Sequence, residues 1–120
     1  METDMKNTAA APCPVCGYYM FSAPDSESEI CAICNWHNDI LDLEKMYEPV
    51  GPNHVSLEQA QKNFFEFGAV EVRFKNLVRH PLNNDIRDSK WRPLDRAKDK
   101  PGKIYFDKRN LDKIYYWRWG

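Results

Sequence analysis

The sequence predicts an α+β fold: a small zinc-ribbon-like pair of cysteine knuckles packed on one main helix and completed by a C-terminal β-hairpin. Three observations predict it. The four cysteines of this 120-residue chain stand as two C-x2-C pairs, Cys13-Pro14-Val15-Cys16 and Cys31-Ala32-Ile33-Cys34, 14 residues apart. One segment, from Ser56 to Gly68, carries both helix-end signals around an apolar stripe. The C-terminus holds two runs rich in β-formers, Ile104-Tyr105-Phe106 and Ile114 to Trp119.

Residues 1–12 are polar and Ala-rich and read as a flexible tail ahead of one domain, 13–120. Within it, 13–50 forms the zinc module, 51–80 the helical part, and 81–120 a loop followed by the hairpin. Each C-x2-C aims two sulfurs at one point, so Cys13, Cys16, Cys31 and Cys34 supply the four thiolates of a closed tetrahedral site. Redox chemistry at one pair would expect a lone C-x-x-C beside a βαβ pattern, which is not visible. Two disulfides would expect an exported chain. Four thiolates suit Zn2+ or a single Fe; the reading favours structural Zn2+. Gly17 follows the first knuckle where a positive φ closes the turn, and Tyr18 to Phe21 reads as a short strand leaving it. Trp36 reads as a buried lid on the site. His37 could replace a cysteine ligand, but with the four thiolates in place it reads as a polar surface residue.

Gly51-Pro52-Asn53-His54 is turn chemistry, with His54 in a structural role. Ser56 is the N-cap of the main helix, Gln59 completes an S-x-x-Q capping box, and Gly68 stops the helix. Leu57, Ala60, Phe64 and Phe67 fall on its core face. Val70, Phe74, Leu77 and Val78 match a second short helix, ended by Pro81. Residues 82–102 read as a long surface loop pinned by Trp91. Asp107 to Asn110 suits the hairpin turn.

Net charge is −1, yet the halves differ: residues 1–70 carry three basic and eleven acidic residues, and residues 71–120 fourteen basic and seven acidic. The simplest reading packs one half against the other; the sharper one offers a charged face to a partner. No apolar run is long enough to span a membrane, and residues 1–11 lack the pattern of a secretory signal, so a cytoplasmic location with reduced thiols is expected. No phosphate-binding glycine loop, G-x-S-x-G or H-E-x-x-H occurs, and no enzyme is expected.

Four ordered blocks carry a resemblance: Cys13 to Tyr18, Glu29 to Trp36, Gly51 to Leu57, and Asn63-Phe64 with Phe67-Gly68-Ala69. Together, over about residues 13–80, they resemble the bacterial cysteine-rich CPCC family. The family's name motif has a cysteine where this chain has Val15, and acidic residues usually follow the tryptophan where this chain has His37-Asn38-Asp39. The resemblance implies a bacterial zinc-ribbon-like protein and brings no established activity.

Two functions follow as expectations. The first is a non-catalytic protein acting by protein binding, in its sharpest form an immunity protein that neutralises a toxin. Asp25, Glu27 and Glu29 would then occupy a basic groove of that partner. The alternative is a nucleic-acid-binding module, with Trp91, Tyr105, Tyr115, Trp117 and Trp119 stacking bases among the cations of the C-terminal half.

Overall fold

A computed structural model describes residues 9–101 and 114–118. Two strands, β1 (Ala11–Pro12) and β2 (Tyr19–Phe21), pair antiparallel, with Ala11 opposite Phe21 and Pro12 opposite Tyr19. The pairing slips between Ala11 and Pro12, where proline has no N–H to give the ladder. Ala11 and Pro12, just before the first knuckle, are buried in this strand. The other edge of β2 is covered by the late loop, through Tyr19 N–H donating to Ile86 O at 2.9 Å and the Tyr18–Arg87 bridge.

Helix α1 (Ile40–Glu44) was not foreseen. It is one turn long, capped by Asp39, whose carboxylate accepts from Asp42 N–H at 3.0 Å. Such a helix is too short to show a periodic stripe; Leu43 at its end and Met46 just beyond enter the core. Asp42 is fully buried and accepts from Gly51 N–H and the Asn53 amide, while Asn53 pairs with both backbone groups of His37. The Gly51–His54 turn is thus held on the segment after the second knuckle by hydrogen bonds rather than apolar contact.

Helix α2 (Leu57–Phe67) stands where expected, with Ser56 Oγ accepting from Gln59 N–H at 3.0 Å and Gly68 at φ 84° as its C-cap. The capping box is half formed, because the Gln59 amide turns to Asn63 at 2.9 Å instead of reaching back. Leu57 and Ala60 are buried, and Phe64 packs on the core's edge.

Two expectations are corrected. The 70–78 segment is not a second helix: Val72–Phe74 makes a single 3-10 turn, and Leu77 is 72% exposed. Val70 is buried and Phe74 packs against the core, while Val70 is held by its N–H to Cys34 O. The C-terminal hairpin also fails in its second arm. Tyr116–Arg118 is a 3-10 turn, with Ile114, Tyr115, Tyr116 and Trp117 all buried. The first arm, 104–106, and its turn, 107–110, lie outside the described residues. Burial on every side, rather than one, replaces strand alternation there.

The core gathers Val15, Phe21, Ile33, Trp36, Met46, Leu57, Val70 and the 114–117 aromatics around the four cysteines. Among the described residues no helix is long and apolar enough to cross a membrane. One ion pair between the charge-divided halves is Glu58–Arg96, whereas Arg73, Arg79, Arg92 and Arg118 pair with Glu71, Asp85, Asp99 and Asp88 of their own half.

Candidate metal centre

The two C-x2-C segments fold alike. Cys13 N–H donates to Tyr18 O at 2.8 Å, and Gly17 N–H to Cys13 O at 2.7 Å. In the second segment Cys31 N–H donates to Trp36 O at 2.9 Å, and Asn35 N–H to Cys31 O at 2.8 Å. Each turn closes on a residue with positive φ, Gly17 at 81° and Asn35 at 72°. Asparagine is among the few non-glycine residues enriched in this conformation. At Gly17 the requirement is double, since a Cβ would lie 2.8 Å from the Trp91 ring.

The turns bring all four sulfurs within 4.8 Å of one another. Cys13 and Cys34 Sγ are 3.5 Å apart and Cys16 and Cys31 Sγ 3.8 Å. A tetrahedral Zn2+ with Zn–S bonds of about 2.3 Å sets its sulfurs about 3.8 Å apart, so the cage already has the size of the ion. The thiols are free, and each is at most 1% exposed. Such a cage leaves no side for water or substrate, as in structural rather than catalytic sites.

The electrostatics suit a cation. Burial, with hydrogen bonds from its neighbours, pushes the Cys13 and Cys34 thiols well above the usual thiol range. At Cys31 burial acts the same way, but hydrogen bonds from Cys13, Cys16, Cys34 and the Cys34 backbone outweigh it and hold the thiol well below that range. Burial disfavours four thiolates together, so protons stay on the cluster. A divalent ion would replace those protons and release them on binding.

The rest of the chain closes around this cage. Pro14 O, inside the first knuckle, accepts from the Gln61 amide at 3.0 Å and the Trp91 indole at 2.8 Å. Cys16 O accepts from Arg87 Nε at 2.8 Å, and Gly17 O from Asp88 N–H. On the second knuckle, Ala32 O accepts from Arg79 N–H. Trp91 therefore pins the long loop as expected. Gln61, Arg87 and Asp88 were not foreseen. Gln61 carried a signal, a polar residue beside Ala60 on the buried face of α2; the other two sit in a loop with no period to read.

Trp36 is fully buried in the cysteine core, and its indole N–H has no partner among the described residues. His37 stays outside the cage, half-exposed, with Nε2 2.7 Å from Glu27 O. His54 pairs with Arg73 and Glu71 at the surface. The proposed stacking residues divide: Tyr115 and Trp117 are buried at 1% and 7% exposure, Trp91 is half-buried, and Tyr105 and Trp119 lie outside the described residues. Of the acidic loop, Glu29 accepts from Ser22 N–H and Oγ, and Glu27 from Ile40 N–H, so both hold the chain's own backbone.

Residues 11–85 match the profile of the family described as Cysteine-rich CPCC. No curated protein and no solved structure matches the chain.

Proposed function

The chain belongs to the cysteine-rich CPCC family, and on that footing we propose that it is a zinc-stabilised, non-catalytic protein that acts by binding another protein. The observation that carries this reading is the closed cage: four sulfurs of tetrahedral size, each at most 1% exposed, form the middle of the core. Zn2+ held by Cys13, Cys16, Cys31 and Cys34 would cross-link two turns 14 residues apart, and helix α2 and the loop after residue 82 close on the first of those turns. Its chemistry there is structural, a folding free energy supplied by metal. The two knuckles, each flanked by an antiparallel contact, give the zinc-ribbon-like reading its support.

The sharpest form is an immunity protein or inhibitor that neutralises a bacterial toxin, working in the cytoplasm. What supports it is a small scaffold whose charge is divided and whose site is internal. Binding through the nucleic-acid route is less well supported, because Tyr115 and Trp117 fill the core instead of offering faces to bases. The test is capture by the full-length, metal-loaded chain in cells that carry its gene, with chemical cross-linking before lysis. A stoichiometric protein partner is expected. Repeated capture of none, or of nucleic acid alone with steep salt sensitivity, contradicts the reading.

A further inference from the structure

Beside the first knuckle, four side chains form a row of ring contacts that the four cysteines do not use. The Arg87 guanidinium carbon lies 5.0 Å from the Tyr18 ring centre and 4.8 Å from that of Trp91. Phe65 extends the row, its ring centre 6.4 Å from Trp91's. Arg87 Nε is fixed on Cys16 O, so the side chain is held by two ring contacts and one hydrogen bond. Yet Arg87 is exposed and forms no ion pair with a described residue, unlike Arg73, Arg79, Arg92, Arg96 and Arg118. Ile86, beside it, is 65% exposed and Phe65 is 60% exposed.

An arginine held against two aromatic rings and a backbone carbonyl has already lost rotamer freedom that binding would otherwise cost, and its remaining N–H groups suit a carboxylate bidentately. Arginine, tryptophan and tyrosine are also the residues that dominate protein interfaces. The geometry points to this row, centred on Arg87 with Phe65 and Ile86 at its apolar margins, as the docking surface for an acidic, apolar segment of a partner protein. The inference rests on the protein-binding reading and moves the contact away from Glu27 and Glu29, which hold their own loop. The exposed Phe65 at the end of the row favours a protein carboxylate over a phosphate backbone.

The test uses the full-length, metal-loaded chain and a synthetic peptide alternating Glu or Asp with Leu and Phe. The same peptide with Lys for its acids and a short thymidine oligonucleotide serve as controls. NMR follows the Arg87 Nε–H and Trp91 indole signals. Saturable shifts with the acidic peptide alone are expected. The affinity should fall about tenfold in Arg87→Lys, which keeps the charge but not the fork, and vanish in Arg87→Glu. Ile86→Ser should weaken it several-fold with metal content and melting temperature unchanged. No shift with the acidic peptide, equal affinity in Arg87→Glu, or response to the oligonucleotide alone overturns the inference. Cell capture separates it from the broader reading. A partner retained equally by Arg87→Glu removes this surface and leaves protein binding standing, whereas no partner with an intact peptide response does the reverse.

Discussion

Asp88→Asn should loosen the attachment of the C-terminal segment to the metal module. Asp88 is 6% exposed, and its Oδ2 accepts from Trp117 Nε1 at 2.8 Å and from Arg118 Nη2 at 2.6 Å, while Oδ1 accepts from Lys90 N–H at 3.0 Å. Asparagine keeps the shape but offers one oxygen. Whichever way the amide turns, an NH2 group faces an N–H donor, and the partner charge of Arg118 is lost. A hydrogen bond to a charged group contributes about 1.5–3 kcal/mol, and Arg118, itself 19% exposed, adds a partly screened ion pair. Together these predict a loss of about 3 kcal/mol, or roughly 10 °C in melting temperature for a chain of this size. The sign with pH is fixed. Burial alone would raise the Asp88 carboxyl, but the Trp117 indole, the Lys90 amide and Arg118 outweigh it and hold it below its usual value. Its contribution is therefore present above the unfolded value, about pH 4, and is lost as pH falls through the folded one. Thermal melting of wild type and variant, at matched metal content, should show the full gap at neutral pH and a closing gap below about pH 4. A gap at neutral pH of under about 2 °C, where roughly 10 °C is expected, refutes this account of the attachment.

Three further outcomes follow from the same geometry. Gly17→Ala should cost roughly 3 kcal/mol, combining a left-handed φ of 81° with a Cβ 2.8 Å from the Trp91 ring; Gly68→Ala, at φ 84° with nothing within 4 Å, should cost about 1 kcal/mol. Urea unfolding of the pair checks both, and equal losses would count against the Trp91 contact. Gln61→Leu removes the amide that serves Pro14 O and Tyr116 OH and accepts from Leu94 N–H, so a buried amide is orphaned and about 2–3 kcal/mol should be lost in the same assay. Acidification should release the metal, because Cys13 and Cys34 hold protons far more tightly than ordinary thiols. Dialysis across falling pH, followed by elemental analysis, should show metal content falling as pH falls.

The cluster of four cysteines was legible in the sequence because ligand spacing is a local property: two C-x2-C turns, with Gly17 after the first, specify sulfur positions with little help from elsewhere. Helix α2 was legible for the same reason, its cap, stripe and stop all lying within 13 residues, Ser56 to Gly68. The C-terminal segment was not. Ile114 to Trp117 has the composition of a strand, but composition records what a segment can bury and not the geometry in which it is buried. Helix α1 was missed because one capped turn has no period. The loop from 82 to 101 read correctly as irregular, yet its use could not be read: Arg87, Asp88 and Trp91 reach back more than 70 residues to cap the first knuckle. In the acidic loop, charge alone did not show the local use of Glu29 and Glu27, whose carboxylates accept from Ser22 and Ile40 backbone groups.

The central claim is that Cys13, Cys16, Cys31 and Cys34 hold one Zn2+ on which the fold depends. Native mass spectrometry of the purified full-length chain tests it most directly, with circular dichroism recorded on the same sample before and after a strong chelator. The account predicts one zinc per chain, loss of that mass with the chelator, and loss of folded structure in step with it. A folded chain that carries no metal, or one that gives up its zinc and stays folded with four unreactive thiols, contradicts it.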